Sequence, residues 1–221
     1  MARLGPALTL AAGGIVTVAL GVLSVSAASS ANLTEAGGAA QAGAAATTQV
    51  SPPPPAAVKT ARPAPVRADY AGRVKGQGGL IAISVRNGKA IGYFCDGRTE
   101  AWFAGRAKDG QVRLKGFGGS SVTARLDGKR AVGDLNIGRE SWDFTAPTAK
   151  KPSGLYRASA IVRGARIKAG WIVLADGTQT GFAKRDERPV AVPVLAPGTD
   201  PTIDGTRVDA KDVDEFIGEM P

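Results

Sequence analysis

From residue 80 onward the chain alternates short apolar runs with turn dipeptides. Asn87-Gly88, Asp96-Gly97, Asp109-Gly110, Gly118-Gly119, Asp127-Gly128 and Asp176-Gly177 punctuate segments rich in Val, Ile, Leu and aromatic residues. Asn-Gly and Asp-Gly accept the positive φ angles of tight hairpin turns. Runs of this length and spacing predict strands at 80–86, 90–95, 100–107, 111–116, 120–126, 131–137, 140–146, 155–163, 167–174 and 178–183. No interval between residues 70 and 185 carries helical periodicity. The expected fold is all-β, an antiparallel meander of repeated hairpins. A small barrel or a strongly coiled sheet is favoured, because closure protects edge strands.

The pattern echoes itself. NGKAIGYFCDGRTEAWF begins at Asn87, and DGKRAVGDLNIGRESWDF begins at Asp127. Each gives a turn Gly-Lys, a Gly, a Gly-Arg, then Trp and Phe, with one insertion between copies. A weaker third copy begins at Val162. Matching Trp102 to Trp142 makes this a duplication and places Asn136 where Cys95 stands.

Outside this region the pattern is different. Residues 8–25 are an uncharged, largely apolar run preceded by Arg3. That predicts a signal peptide or membrane anchor over residues 1–28, with cleavage and retention both open. No Lys or Arg occurs between residues 4 and 58, so the basic end would stay inside and the remainder be exported. Residues 29–69 are dominated by Ala, Gly, Thr and Pro and predict a disordered linker, stiffened at residues 52–55 by four prolines. A β-domain over 70–189 and an acidic tail over 190–221 complete the expected organisation. In that tail Asp209 is the expected cap of a short helix, with Val213, Phe216, Ile217 and Met220 on one face. The expected location is exported, either membrane-anchored and facing outside or secreted.

Composition narrows the chemistry. The 221 residues include no histidine and one cysteine. His-based acid/base catalysis, Ser-His-Asp or Cys-His nucleophiles, an internal disulfide and a thiolate cluster are thereby excluded. Residues 59–189 hold 25 Lys and Arg against 11 Asp and Glu, whereas residues 196–221 hold 7 acids against Arg207 and Lys211. A basic body suits anionic partners, and the acidic segment is expected to lie against it. No P-loop, dinucleotide fingerprint or RNA-binding signature is present, so neither a cofactor nor a nucleic-acid partner is expected, and no metal site either. The segment from Asp200 would need a carboxylate where Lys211 stands to serve as a calcium loop.

Three kinds of residue remain as candidates. Cys95 reads as a small buried hydrophobe, since no relay partner accompanies it. A carboxylate pair drawn from Asp96, Glu100, Asp134, Glu140 and Asp143 would be needed for glycoside hydrolysis; Ser120 or Ser153 with a lysine would be needed for a Ser-Lys dyad. Arg98 and Arg139 follow equivalent turn glycines and should share one rim, with Arg106 as a neighbour; Lys89 and Lys129 should share the other. The guanidinium fork suits phosphate or carboxylate, so the arginine rim is the expected binding surface.

The stretches NGKAIGYFCDGRTEAW, WDFTAP, SGLYRA and GWIVLADGTQTGF together resemble a group of uncharacterised exported or membrane-anchored β-domain proteins of actinobacteria. The resemblance covers roughly residues 70–208, including TIDGTRV. It implies an extracytoplasmic β-domain and carries over no catalytic residue. The resulting expectation is a cell-envelope binding or interaction module for anionic ligands. Its partner would be an anionic envelope polymer or an acidic protein surface, with membrane contact through the N-terminal segment if uncleaved. Alternatives are a carboxylate-dependent hydrolase of wall polysaccharide and a small-ligand-binding barrel.

Overall fold

The computed structural model describes residues 63–220. The expected signal or anchor, and the linker through residue 62, lie outside the described residues. Eight strands run in order: β1 (Arg67–Val74), β2 (Leu80–Arg86), β3 (Lys89–Cys95), β4 (Glu100–Lys108), β5 (Gln111–Gly116), β6 (Ser121–Leu126), β7 (Arg130–Ile137) and β8 (Glu140–Pro147). Each pairs antiparallel with the next, and β1 closes on β8 to complete a barrel. Next come β9 (Gly154–Val162), β10 (Ala165–Val173), β11 (Gln179–Arg185) and β12 (Arg188–Val190). The hairpin β13 (Thr202–Ile203) and β14 (Thr206–Arg207) precedes β15 (Lys211–Asp212) and the short helix α1 (Val213–Phe216). A second sheet has the order β12-β11-β10-β9-β15.

The expected meander is therefore present, but it divides. Strands through β8 form the barrel; β9 to β11 belong to a separate sheet, and the weak third repeat copy falls there. Strand β1 was not among the expected strands and begins at Arg67, inside the expected linker. Its sequence RADYAGRV lacks the apolar alternation of the others. Its conformation is imposed by pairing to β2 on one side and β8 on the other.

Side-chain alternation fills the barrel. In β5, Val112 and Leu114 point inward while Gln111, Arg113 and Lys115 are exposed. Phe94, Phe103, Leu114, Leu135 and Phe144 pack together inside, each at most 2% exposed. Eight strands enclose a volume that side chains of this size occupy. Coiling brings strands very close at Gly133, where a Cβ would stand 1.9 Å from the Thr123 carbonyl oxygen.

Strands β2 and β3 are buried on both faces. Ala82, Ile91, Tyr93 and Cys95 point out of the barrel into a second apolar layer with Leu155, Ile172, Val213, Phe216 and Ile217. The opposite face of the second sheet forms a third layer, in which Trp171 and Ile167 meet Leu195, Ile203 and Val208. Residues 190–220 are thus integral to the domain rather than a tail. The helix cap is Asp212, not Asp209. Asp212 accepts from the Asp214 N–H at 2.8 Å, and Glu215 accepts from the Asp212 N–H at 3.2 Å, a reciprocal capping box.

The duplication has a defined register. Gly92 lies opposite Phe103, and Gly133 lies opposite Phe144. Strands β2–β4 and β6–β8 are four strands apart in an eight-stranded ring, so the copies sit half a turn apart. The same register matches Cys95 with Asn136 but shifts the tryptophans by one residue. Trp142 packs on the barrel interior, whereas Trp102 points outward beneath the second sheet. Phe103 and Phe144, not the tryptophans, are the equivalent pair.

Candidate functional site

Hairpin geometry decides where the candidate arginines lie. Every odd-to-even turn of the barrel falls at one end, so Arg98 (β3–β4) and Arg139 (β7–β8) occupy one rim, on opposite sides. Both are exposed. Arg106 is not their neighbour. Its register partners are Lys89 and Arg113, at the far end of the strands. Lys89 and Lys129 occupy that other rim, and Lys89 donates to the Met220 carbonyl.

The register instead assembles a different basic surface on the open wall of the barrel. One row runs Lys89–Arg106–Arg113–Thr123–Asp134–Asp143 across β3 to β8. Lys108 and Arg125 flank Gln111 in the adjacent row, and Lys115 lies between Ala104 and Ser121 in another. Arg106, Lys108, Arg113, Lys115 and Arg125 are all exposed; β5 and β6 hold no acid, the acid of β4 is Glu100 at the far end of that strand, and Asp109 stands in the β4–β5 turn beside Lys108. Arg113 donates to Gln111 at 3.1 Å. Among the described residues none of these five makes a salt bridge. A depression of about 530 Å³ borders the wall, lined by Asn87, Lys89, Ala104, Gly105 and Arg106. Sequence reading missed Arg113, Arg125, Lys108 and Lys115 as a group. The signal was present in QVRLK and SVTARL, where charge alternates with apolar residues at strand period.

The carboxylates do not converge. Glu100 matches Ser141 in the repeat register, and Glu140 lies on the opposite side of the barrel. Asp134 and Asp143 face each other directly, but both are exposed on the open wall. Asp96 is absorbed in its turn, accepting from the Thr99 and Arg98 N–H groups at 2.6 and 2.8 Å and from Gln77 at 3.0 Å. Burial works against its charge, yet these donors hold its pKa below the usual carboxylate value.

Glu100 sits in a cleft of about 240 Å³ between barrel and second sheet, with Trp102, Arg157, Lys168, Lys184 and Glu187. Its carboxylate accepts from Tyr93 at 3.0 Å and from the Trp102 indole at 3.3 Å, and it pairs with Lys184 at 3.1 Å. Tyr93 and Trp102 rings lie 4.2 Å apart, and Arg157 stands 5.9 Å from the Trp102 ring. Glu187 pairs with Lys168 at 2.8 Å, which lowers its pKa. A general acid for glycoside cleavage needs a raised pKa, the opposite of what Lys168 does to Glu187.

Ser120 is likewise committed to its turn. Ser120 donates to the Phe117 carbonyl at 2.7 Å. Ser153 lines a cavity of about 330 Å³ with Gly72, Arg73, Leu174 and Asp176. The nearby Lys151 is hydrogen-bonded to Asp212 and also paired with Asp214, which raises its pKa and keeps it an ammonium rather than a base. Cys95 is buried, with Sγ 3.6 Å from the Thr180 hydroxyl and accepting from the Gly97 N–H at 3.4 Å.

No family model, curated protein or solved structure matches the chain.

Proposed function

We propose that the barrel is a non-catalytic binding module for anionic polymers of the cell envelope, and that it binds them on the basic wall of β4 to β6. One observation carries this reading. Arg106 and Arg113 stand directly opposite each other on neighbouring strands, and among the described residues neither is paired with a carboxylate. Like charges in that position are destabilising, and an ordinary solubility surface would intersperse acids. The fold tolerates the repulsion where a polyanion relieves it. Planar guanidinium groups at strand spacing suit successive phosphates or carboxylates of an extended chain. The filled barrel interior counts against the small-ligand alternative. The dispersed or ion-paired carboxylates count against the hydrolase. Export, with the N-terminal apolar run as signal or anchor, belongs to the same proposal and supplies the envelope setting.

The test compares Arg106→Ala/Arg113→Ala/Arg125→Ala with Lys129→Ala/Arg163→Ala, using long-chain polyphosphate as probe. The wall variant should lose about tenfold or more in affinity at low salt, on the order of 1.4 kcal/mol, with a shallower salt dependence. The control pair should lose much less. Equal losses would mean diffuse attraction and no binding face.

A further inference from the structure

The rim opposite the point where the chain enters the domain carries a feature that the basic wall does not use. The β5–β6 turn projects Phe117, which is 100% exposed. It is followed by Gly118 and Gly119 at φ of 64° and 79°. No atom lies within 4 Å of where a side chain on either glycine would begin, so the tip stands clear of the fold. The turn is nonetheless pinned. The Phe117 carbonyl accepts from both the Ser120 hydroxyl at 2.7 Å and the Ser120 N–H at 3.2 Å, and Gly116 N–H donates to the Ser120 carbonyl at 2.8 Å. Among the described residues Ser120 is one of two buried polar residues. An exposed aromatic ring held on a braced turn is a presented group.

Its surroundings identify the partner. Lys75, Arg98 and Arg139 lie in the other turns of the same rim, all exposed and without a salt bridge among the described residues. Lys115 stands just behind the tip on β5. The described chain begins at the other end, where the Asn87 N–H donates to the Val66 carbonyl. The same rim also carries Asp96, held by its own turn, and Glu140 beside Arg139. A ring that needs apolar surroundings, on a rim that also presents three cations without an ion pair, matches a boundary between negative headgroups and acyl chains. We infer that this rim docks on an anionic lipid bilayer, with Phe117 inserted and Lys75, Arg98 and Arg139 against the headgroups.

The full chain carrying Phe117→Trp is mixed with vesicles of brominated phosphatidylcholine, with or without phosphatidylglycerol. The upstream apolar run would tether parent and variant alike, so the readout is local quenching at position 117 and not partitioning. Trp emission of the variant should be quenched at least twofold more than that of the parent on phosphatidylglycerol vesicles. Adding Arg98→Ala/Arg139→Ala should remove the excess. Equal quenching of parent and variant overturns the proposal, and so does excess quenching reproduced in full on neutral vesicles. Because the residues differ from those of the basic wall, failure here leaves polyphosphate binding unaffected.

Discussion

Cys95 and Asn136 occupy equivalent positions in the two halves of the barrel, but only one half is roofed by the second sheet. Burial pushes the Cys95 thiol pKa up, outweighing the Gly97 N–H and Thr180 hydroxyl that favour the thiolate. Iodoacetamide at neutral pH should therefore label Cys95 in urea and leave it unlabelled in native protein, as read by intact mass. Rapid native labelling would contradict this assignment. The thiol's burial was legible in the sequence, from the lack of a relay partner and from Asn136 at the equivalent repeat position. The tryptophan pairing was not, because a one-residue slip reverses the face of every side chain and only the ladder register reveals it. Arg106 failed similarly: strand length separates it from Arg98, although the linear sequence places them eight positions apart.

At the level of elements, most barrel strands were legible because alternation and turn dipeptides are local signals. The second sheet's role as a roof was encoded less directly. LIAISV and KAIGYFC are continuous apolar runs, unlike QVRLK, and such runs mark strands buried on both faces. The C-terminal segment was expected to lie against the basic body through its acids, as a tail able to compete with anionic ligands; its apolar residues bind it more firmly than that. Those acids are the outward half of an element whose inward half is Val213, Phe216 and Ile217. Arg86 anchors it, bonding Asp214 at 2.7 Å and Asp69 at 2.9 Å. Truncation after Pro197 would thus strip the apolar layers rather than unmask a binding face, and should yield insoluble or unfolded protein. The milder Phe216→Ala should cost about 3–5 kcal/mol by cavity formation, lowering Tm by roughly 10 °C in calorimetry. A stable truncated domain with tighter polyphosphate binding would refute this integral role.

Across the whole molecule, titration should destabilise the domain from both sides. Arg73 and the Thr178 N–H bring Asp176 down to about 2, and Asp214 is lowered because Arg86 and Arg67 outweigh its burial. A depressed carboxylate contributes stability that is present above its unfolded pKa of about 3.9 and lost as pH falls through the folded value. Denaturation midpoints should accordingly hold down to about pH 4 and fall below it, where the Asp214 contacts joining the C-terminal segment to Arg86 are protonated away. The alkaline limb has a different origin. Burial raises Tyr93, Tyr70, Tyr156 and Cys95, so their neutral forms are favoured in the fold. That contribution is complete below the unfolded values of about 8.5 to 10 and is lost as pH rises through the folded ones. With no histidine in the chain, stability should be nearly flat between these limits. Urea midpoints measured across the range at fixed ionic strength test this. Tyr93→Phe should flatten part of the alkaline limb and leave the acid limb unchanged. A substantial slope between pH 6 and pH 8, where no group named here titrates, would show that the charge network is organised differently.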